Sequence, residues 1–144
     1  MSLLKIARVP AVTVGPESTV LDAIKRMTEV GVGAVVVVEN DELRGIFTER
    51  DVLSKVVIQH LPLETTKISE VMSSPAQAAH QDLNPSEALS IMDSNHFRHL
   101  PIVDDQDRVT GILSIRHLLH RMIEDLSQEL QALDSYVSAD GIGG

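Results

Sequence analysis

Cysteine is absent from the 144 residues of this chain, and aromatic residues make up only 2% of it. Without cysteine there is no disulfide, no thiolate metal ligand and no thiol nucleophile. The three aromatic residues, Phe47, Phe97 and Tyr136, lie far apart in the sequence, which disfavours a base-stacking platform for single-stranded nucleic acid. The hydrophobic core must therefore be aliphatic.

Positive charge is also scarce, since 12 basic residues face 21 acidic ones and the net charge is −9. Proteins that bind nucleic acid carry a basic footprint, so we expect no nucleic acid as a partner. No apolar run approaches the roughly 20 residues of a membrane helix, and the first ten residues do not resemble a secretory signal. We therefore predict no membrane partner and a cytoplasmic location.

Familiar catalytic motifs are missing as well. The sequence has no Gly-x-Ser-x-Gly elbow, no Walker loop and no His-Glu-x-x-His. The acidic residues at 39–42 and 104–107 fall in predicted turns, where solvated side chains are the simplest interpretation. We therefore expect a protein that is not an enzyme.

What the chain does contain is an internal repeat. DAIKRM at 22–27 aligns with EALSIM at 87–92 at an offset of 65 residues. GIFTERDVLSKVV at 45–57 aligns with GILSIRHLLHRMI at 111–123 at an offset of 66, because the acidic turn of the second copy is one residue longer. Two copies of one unit therefore span residues 12–123.

Each copy begins with the same predicted elements. An extended entry segment, at 12–14 and again at 77–79, precedes a helix. In the first copy Thr19 begins a capping pattern, and in the second Asn84 is the predicted cap with Pro85 at the first helical position. The apolar residues of the first helix share one face, at Val20, Ile24, Met27 and Val30.

Two strands and a second helix complete each copy. The continuous β-branched run at 34–38 predicts a strand buried on both faces. An acidic turn then reverses the chain into 43–47, which indicates a hairpin. A second helix is predicted to begin near Thr48, with an apolar face formed by Val52, Leu53, Val56 and Val57.

Neither copy is large enough to bury its sheet alone. The predicted fold class is therefore α/β (α+β), with two β-α-β-β-α repeats packed about a pseudo-two-fold axis and a C-terminal helix added. The predicted units are a first repeat with its N-terminal segment (1–61), a linker with the second repeat (62–123), and a C-terminal helix with a flexible tail (124–144).

Apolar residues continue past the second copy on one long predicted helix. Their steps of 3, 4, 4, 3 and 4 form a narrow stripe of the kind found in helix–helix packing. The stripe could pack on its own domain or on a second chain, and the Gly-rich tail at 138–144 is predicted to be loose. The stripe consists of Leu119, Met122, Leu126, Leu130, Leu133 and Val137.

A candidate ligand-binding motif lies at Gly45–Asp51, where a strand passes into a helix. A helix N-terminus offers free N–H groups and a positive dipole end, which attract phosphate. Thr48 would add a hydroxyl donor, Arg50 a cation, and Asp51 two acceptor oxygens for a ribose diol. Together these groups suit the sugar and phosphate of a nucleotide.

The same residues also fit a purely structural role. Thr48-x-x-Asp51 is a capping box, whose residues satisfy backbone N–H groups at the start of a helix. The second copy keeps the cap at Ser114 and the cation at Arg116, but His117 replaces the acid. If the motif binds a ligand, the two sites should therefore differ.

Histidine pairs suggest a second kind of site. His96 with His99, and His117 with His120, are spaced so that both rings of a pair can share one helical face, which could suit zinc or nickel. Neither pair has a third ligand nearby in the sequence. Ordinary surface or interface histidines are the alternative, and we expect no bound metal.

Arg98 and His99 directly precede the buried strand of the second copy, at 100–103. They could face a cleft at the edge of that strand. Alternatively, they could pair with the acidic turn at 104–107.

The order of these motifs, repeated at 65–66 residues, resembles a tandem pair of CBS domains, the cystathionine-β-synthase-type module, over residues 12–123. The motifs that carry the resemblance are Pro16-x-Ser-Thr-Val-x-x-Ala23, Ala34–Val38, Gly45-Ile-Phe-Thr-Glu-Arg-Asp51, Arg98-His-Leu-Pro-Ile-Val-Asp104 and Gly111-Ile-Leu-Ser114.

The resemblance implies a regulatory sensor that binds AMP, ADP or ATP, or else NAD or S-adenosylmethionine, in clefts between the copies. It implies Thr48 at the phosphate, Asp51 at the ribose, and contacts to the base near Thr13, Val14, Ala34 and Ile46. In the second copy, Ser114 and His99 match ligand-lining positions. The candidate site residues are therefore Thr48, Asp51, Arg50, Thr13, Val14, Ala34, Ile46, His99, Ser114 and Arg116.

The resemblance also implies a homodimer formed through the helices, acting on an unknown target protein. The alternative function is a non-catalytic protein–protein interaction module whose clefts stay unoccupied.

Overall fold

The computed structural model describes residues 2–74 and 76–137. Its described part contains two three-stranded sheets, each with helices packed against it. This confirms the predicted mixed α/β fold of two repeats with a C-terminal helix. No helix in these two ranges is both long enough and apolar enough to span a membrane.

The two repeats contain the same elements in the same order. The first repeat contains β1 (Thr13–Val14), α1 (Val20–Val30), β2 (Ala34–Glu39), β3 (Glu42–Thr48) and α2 (Glu49–Asp51), which continues as a π-helical segment (Val52–Val57). The second repeat contains β4 (Ala79–His80), α4 (Pro85–Asn95), β5 (His99–Val103), β6 (Val109–Ser114) and α5 (Ile115–Val137). A short helix precedes each repeat. A 3₁₀ turn at Leu3–Lys5 lies ahead of the first repeat, and α3 at Ile68–Val71 lies ahead of the second.

Both sheets have the same topology. The entry strand runs parallel to the central strand, and the central strand pairs antiparallel with the third. Each hairpin register shifts once, between Val37 and Val38 and between Ile102 and Val103. The predicted hairpins are thus confirmed, and the second entry strand, at 79–80, begins two residues later than predicted.

The predicted helix caps are also confirmed. The Thr19 hydroxyl accepts a hydrogen bond from the Asp22 N–H at 3.1 Å, and the Asn84 side chain accepts one from the Ser86 N–H at 2.8 Å, with Pro85 at the first helical position. These bonds satisfy backbone donors that have no partner inside the helix.

The predicted apolar face of the second helix is only partly correct. Val56 is buried in the first core and Val52 packs against it, but Leu53 and Val57 are 63% and 53% exposed. The spacing of apolar residues therefore predicts the helix correctly but does not show that two of them face away from the core of their own chain.

Short segments ahead of each repeat pack on the other repeat. Leu3 is fully buried in the core of the second repeat, and Ile68 is fully buried in the core of the first. The backbone of Arg8 pairs with Ile112 in β6, just as Ser73 pairs with Ile46 in β3. The approach is close, because a Cβ on Gly45 would lie 2.8 Å from the Ser73 carbonyl oxygen. The two repeats are therefore joined by a reciprocal exchange of segments.

A third, smaller apolar cluster lies between the two sheets. It is formed by Ala34 and Val36 of β2 with Ile112 of β6. Among the described residues, aliphatic side chains and methionines make up all three clusters, and the fully buried Phe47 is the one aromatic residue in them. The aliphatic core expected from the composition is therefore present.

The last helix, α5, is continuous from Ile115 to Val137 and confirms the predicted long helix. Leu118 is fully buried in the second core, and Ile115 and Met122 pack against it. The predicted loose tail at 138–144 lies outside the described residues.

Candidate functional site

A cleft of about 370 Å³ opens where the two repeats meet. Its lining comes from β3, the π-helical segment and the segment after α3 on one side, and from the residues around β5 on the other. The apolar lining residues are Ile46, Met72, Ala76, Phe97 and Pro101, and the polar ones are Lys55, Ser73, Ser74, Gln77 and His99. A cleft that combines apolar walls with convergent polar groups is a common setting for a small-molecule site.

Asp51 lies next to this cleft and is only 5% exposed. Its Oδ2 accepts hydrogen bonds from the Thr48 N–H at 3.0 Å and from the Thr48 hydroxyl at 3.3 Å. Its own N–H donates to Thr48 Oγ1 at 3.3 Å, which completes a capping box. The structural role predicted for these two residues is therefore present.

The second oxygen of Asp51 points to the cleft lining. Oδ1 accepts a hydrogen bond from the Ser73 hydroxyl at 3.2 Å and pairs with Lys55 Nζ at 3.2 Å. Lys55 Nζ also donates to the Val71 carbonyl at 3.0 Å and to Ser73 Oγ at 3.2 Å. The ammonium group is thus held by an acid, a carbonyl and a hydroxyl at the edge of the cleft.

His99 lines the opposite wall, at the first position of β5. Burial lowers the pKa of this histidine, because a charged ring is poorly solvated there. Glu49 opposes that shift, while Arg98 and His117 add to it. The ring is therefore neutral at pH 7 and can both donate and accept a hydrogen bond.

The lowered pKa of His99 predicts a pH-dependent stability. Below its ordinary value of 6.5, the unfolded chain binds a proton that the folded chain resists, so the free energy of unfolding should fall as the pH falls. His99→Gln should flatten that slope, by at most about 1.4 kcal/mol per pH unit. Urea unfolding between pH 7.5 and 5 measures it. The exposed His96→Gln serves as the control, and an unchanged slope in His99→Gln would contradict the prediction.

The structure places the other predicted site residues as follows. Ile46 lines the cleft together with His99. Thr13 and Val14 form backbone pairs with residues in the middle of β2. Ala34, the first residue of β2, pairs with Thr48, the last residue of β3. Arg50 is exposed and is not among the residues that line the cleft.

The equivalent site in the second repeat carries basic groups instead. Ser114 Oγ accepts a hydrogen bond from the His117 N–H at 3.1 Å, so this cap matches Thr48. His117 stands in place of Asp51, and Arg121, at the position of Lys55, pairs with Asp125 at 3.3 Å. Arg116 is exposed. The expected difference between the two sites is thus present: the second repeat has a histidine in place of the buried aspartate, and its basic residue pairs with Asp125 instead.

The histidine pairs form no metal site among residues 2–74 and 76–137, where no group of three or more candidate ligands lies together. His96 ends α4 in the left-handed conformation, and His120 pairs with Glu124 at 2.9 Å. In the described ranges, Arg98 makes no ion pair with the acidic turn at 104–107. Two positions are predicted for Arg98 and His99, at the edge of a cleft or paired with the acidic turn. His99 adopts the first of these, since it lines the cleft.

Comparison with known proteins identifies the family. The CBS domain family matches the chain twice, over residues 5–58 and 68–124. The chain belongs to the CBS domain family. The two matches begin at residues 5 and 68, ahead of the predicted copies, which begin at 12 and 77, and so include parts of the exchanged segments.

Two relatives of this CBS pair come from a plant and an archaeon. The chain is 33% identical over 126 residues to the mitochondrial CBS domain-containing protein CBSX3 of Arabidopsis thaliana, covering 84% of this chain and 61% of that protein. It is 38% identical over 111 residues to inosine-5'-monophosphate dehydrogenase of Methanocaldococcus jannaschii, covering 76% of this chain but only 21% of the dehydrogenase. The CBS pair therefore spans less than two thirds of either protein.

Solved structures confirm the fold of the CBS pair. A putative signal-transduction protein with CBS domains from Burkholderia ambifaria MC40-6 superimposes with a TM-score of 0.80 at 33% identity, covering 87% of this chain and 96% of that one. A structure of CBSX2 in complex with AMP superimposes with a TM-score of 0.72 at 19% identity, covering 85% and 96%.

Several cleft residues of the CBS pair were missed from the sequence. Lys55 had a detectable signal, because the repeat alignment places it opposite Arg121 and both are basic. Ser73 and Ser74 lie in the segment predicted as a linker, and Phe97 is an isolated aromatic residue in the sequence. No periodic pattern marks them, because they reach the cleft through tertiary packing.

Proposed function

We propose that this CBS pair is a non-catalytic regulatory module that binds an adenosine-containing nucleotide, AMP, ADP or ATP, in the cleft between its repeats. The supporting observation is the cleft beside Asp51, which combines apolar walls with a carboxylate, an ammonium group and hydroxyls. The fold is shared with CBSX2, which was solved with AMP. No cofactor is required for this role.

The chemistry of the cleft suits the parts of a nucleotide. The purine is apolar on its faces, so Ile46, Phe97 and Pro101 provide suitable walls. Gln77 and Ser74 carry hydrogen-bonding groups for the edge of the base. The two hydroxyls of a ribose would replace the contacts that Ser73 and Lys55 now make with Asp51.

If the ribose displaces Lys55 from Asp51, the Lys55 ammonium group becomes available for a second contact. An ammonium group released from a carboxylate keeps its charge and can pair with the phosphate of the same ligand. Lys55 is the one cation among the described residues that line this cleft, because His99 is neutral. We therefore assign the phosphate contact to Lys55 in addition to Thr48.

Titration calorimetry with AMP, ADP, ATP, NAD and S-adenosylmethionine tests this function. At least one ligand should bind saturably, and Lys55→Met should weaken that ligand about tenfold, which corresponds to about 1.4 kcal/mol. Lys55→Arg should retain most of the affinity because it keeps the charge. Lys25→Met, an exposed lysine on α1, should have no effect.

If the folded protein binds none of these ligands, the nucleotide function is wrong. The second candidate, a protein–protein interaction module, would then be favoured. The specific observation behind it is the exposed apolar patch of Leu53, Val57 and Ile58.

We also propose that the protein is a homodimer acting on a target protein. The cytoplasmic location stays a prediction, since the Arabidopsis relative is mitochondrial.

A further inference from the structure

The cleft beside Asp51 has almost no positive charge to spare. Lys55 is the one cation among the described residues that line it, and its ammonium group is 3.2 Å from the Asp51 carboxylate. His99 on the opposite wall is neutral at pH 7, since burial lowers its pKa, and the charges of Glu49 and Arg98 act on that ring in opposite directions. An incoming anion therefore meets a lining whose charges already cancel.

Arg44 and Arg50, which are close to this lining in the sequence or in space, do not add a cation to it. Arg44 touches the lining through its carbonyl, which accepts the Ser74 hydroxyl at 2.9 Å. Its guanidinium group pairs instead with Glu39 at 3.1 Å. Arg50 is exposed and is not among the lining residues. The positive potential inside the cleft therefore comes from a single lysine.

A bound ribose would not change this balance, because the sugar is uncharged. Its hydroxyls can take the places of Lys55 and Ser73 on Asp51, but the carboxylate keeps its negative charge. The released Lys55 then lies close to that carboxylate and to the phosphate of the ligand. A single phosphate group carries roughly 1.5 to 2 negative charges at pH 7. One lysine offsets part of this charge and leaves nothing for a second phosphate.

The size of the cleft adds a second constraint. Its volume of about 370 Å³ is near the lower end of the range for small-molecule sites, roughly 300 to 1,000 Å³. A base, a ribose and one phosphate make a compact ligand, whereas a second and a third phosphate would extend away from Lys55. They would do so against a chain whose net charge is −9, and charges of like sign repel over about 10 Å at 0.1 M salt.

We propose that this cleft selects a nucleoside monophosphate over the corresponding di- and triphosphate, because it offers a single cation. The inference rests on the proposed function and narrows its ligand from three nucleotides to one. The base and the ribose are the same in AMP, ADP and ATP, so the contacts to them contribute equally. The difference in affinity is then set by the charge of the phosphate tail.

Titration calorimetry in magnesium-free buffer tests the selection directly. AMP should bind at least about tenfold more tightly than ATP, with ADP between them, which corresponds to about 1.4 kcal/mol. Excess Mg²⁺ should narrow the difference, because this ion binds to phosphate oxygens and neutralises part of the charge of the tail. The affinity for AMP should change less than the affinity for ATP.

Adding a cation to the cleft tests the cause of the selection. His99→Arg places a charge on the wall opposite Lys55 and should reduce the preference for AMP to about threefold or less. His99→Gln, which stays neutral, should keep the preference. Gln77→Lys is a second charge-adding variant, at a lining residue that is exposed and so tolerates substitution. Gln77→Met is its neutral control, and circular dichroism checks that all four variants fold.

The outcomes separate this inference from the function on which it rests. If the folded chain binds none of the three nucleotides, the proposed function fails and the selection fails with it. If AMP binds but ATP binds equally well or better, the function stands and the selection is overturned. A preference for AMP that stays unchanged in both His99→Arg and Gln77→Lys would also overturn it, because the number of cations would then not set the affinity.

Discussion

Replacing Asp51 by alanine should lower the free energy of unfolding by about 3 kcal/mol, the lower end of the range for breaking a buried ion pair. The change removes the acceptor for the Thr48 N–H at the start of α2, which is a helix cap. It also leaves Lys55 without the carboxylate that holds it at 3.2 Å. We choose the lower end because Lys55 is 35% exposed and water can partly solvate its charge.

Urea unfolding measures this loss, and the slope against denaturant should not change. Asp22 is the matched control, because it occupies the same position of α1 but is exposed. Asp22→Ala should cost less than about 1 kcal/mol, the range for an exposed charge near a helix N-terminus. A loss below 1 kcal/mol for Asp51→Ala would mean that the buried network adds little to stability.

Asp51→Asn separates the cap from the ion pair. The amide oxygen can still accept the Thr48 N–H, but the charge opposite Lys55 is gone. A stability between the wild type and Asp51→Ala is expected. A loss of stability in Asp51→Asn as large as that in Asp51→Ala would assign the whole effect to the pairing with Lys55.

Truncating Leu3 to alanine should lower the free energy of unfolding by about 3 kcal/mol, in the lower half of the range for buried leucines. Leu3 is near the start of the chain, where a substitution would ordinarily be tolerated. Here its side chain is fully buried in the core of the second repeat. The loss combines the transfer of apolar surface to water with the cavity that remains.

Leu53→Ala is the matched control for Leu3→Ala. It removes the same atoms from a side chain that is 63% exposed, and should cost less than about 0.5 kcal/mol. Thermal or urea unfolding of the two variants compares them directly. Equal, small losses would show that the N-terminal segment does not dock on the second repeat in solution.

The order of elements could be predicted from the sequence because each element carries its own local signal. The β-branched run at 34–38 and the apolar spacing of α1 depend on short-range periodicity, and Thr19 and Asn84 are local caps. The two copies also support each other, since a pattern that occurs twice at a fixed offset is unlikely to arise by chance. The same motifs indicate the CBS family, and the family match over 5–58 and 68–124 confirms it.

The direction in which apolar residues face could not be predicted. Leu53 and Val56 are both aliphatic and lie on the same helical turn, yet only Val56 is buried. In the same way, Met122 and Ile123 are adjacent and apolar, and only contact with the second core separates them. Periodicity identifies a helix, but the partner of each face is decided by tertiary packing.

Only part of the cleft could be predicted, again because tertiary packing decides which residues line it. Ile46 and His99 belong to recognised motifs, so both were predicted and both line the cleft. Ser73 reaches it because the segment after α3 pairs with β3, and no residue between 62 and 74 indicates that pairing. Asp51 was predicted as a ligand group or a cap, and the structure shows the cap directly.

The exchanged segments bear on how this chain folds. Leu3 donates its N–H to the carbonyl of Gln81 at 2.8 Å, and Ile68 donates to Ser18 at 2.8 Å. The first of these contacts joins residues from opposite halves of the chain, so the core of the second repeat is incomplete until the beginning of the chain returns to it. Contacts of such high sequence separation slow folding. Because each core is completed by a segment that precedes the other repeat, we expect both repeats to unfold in a single cooperative transition, so that neither half persists as a folded unit when the other is lost.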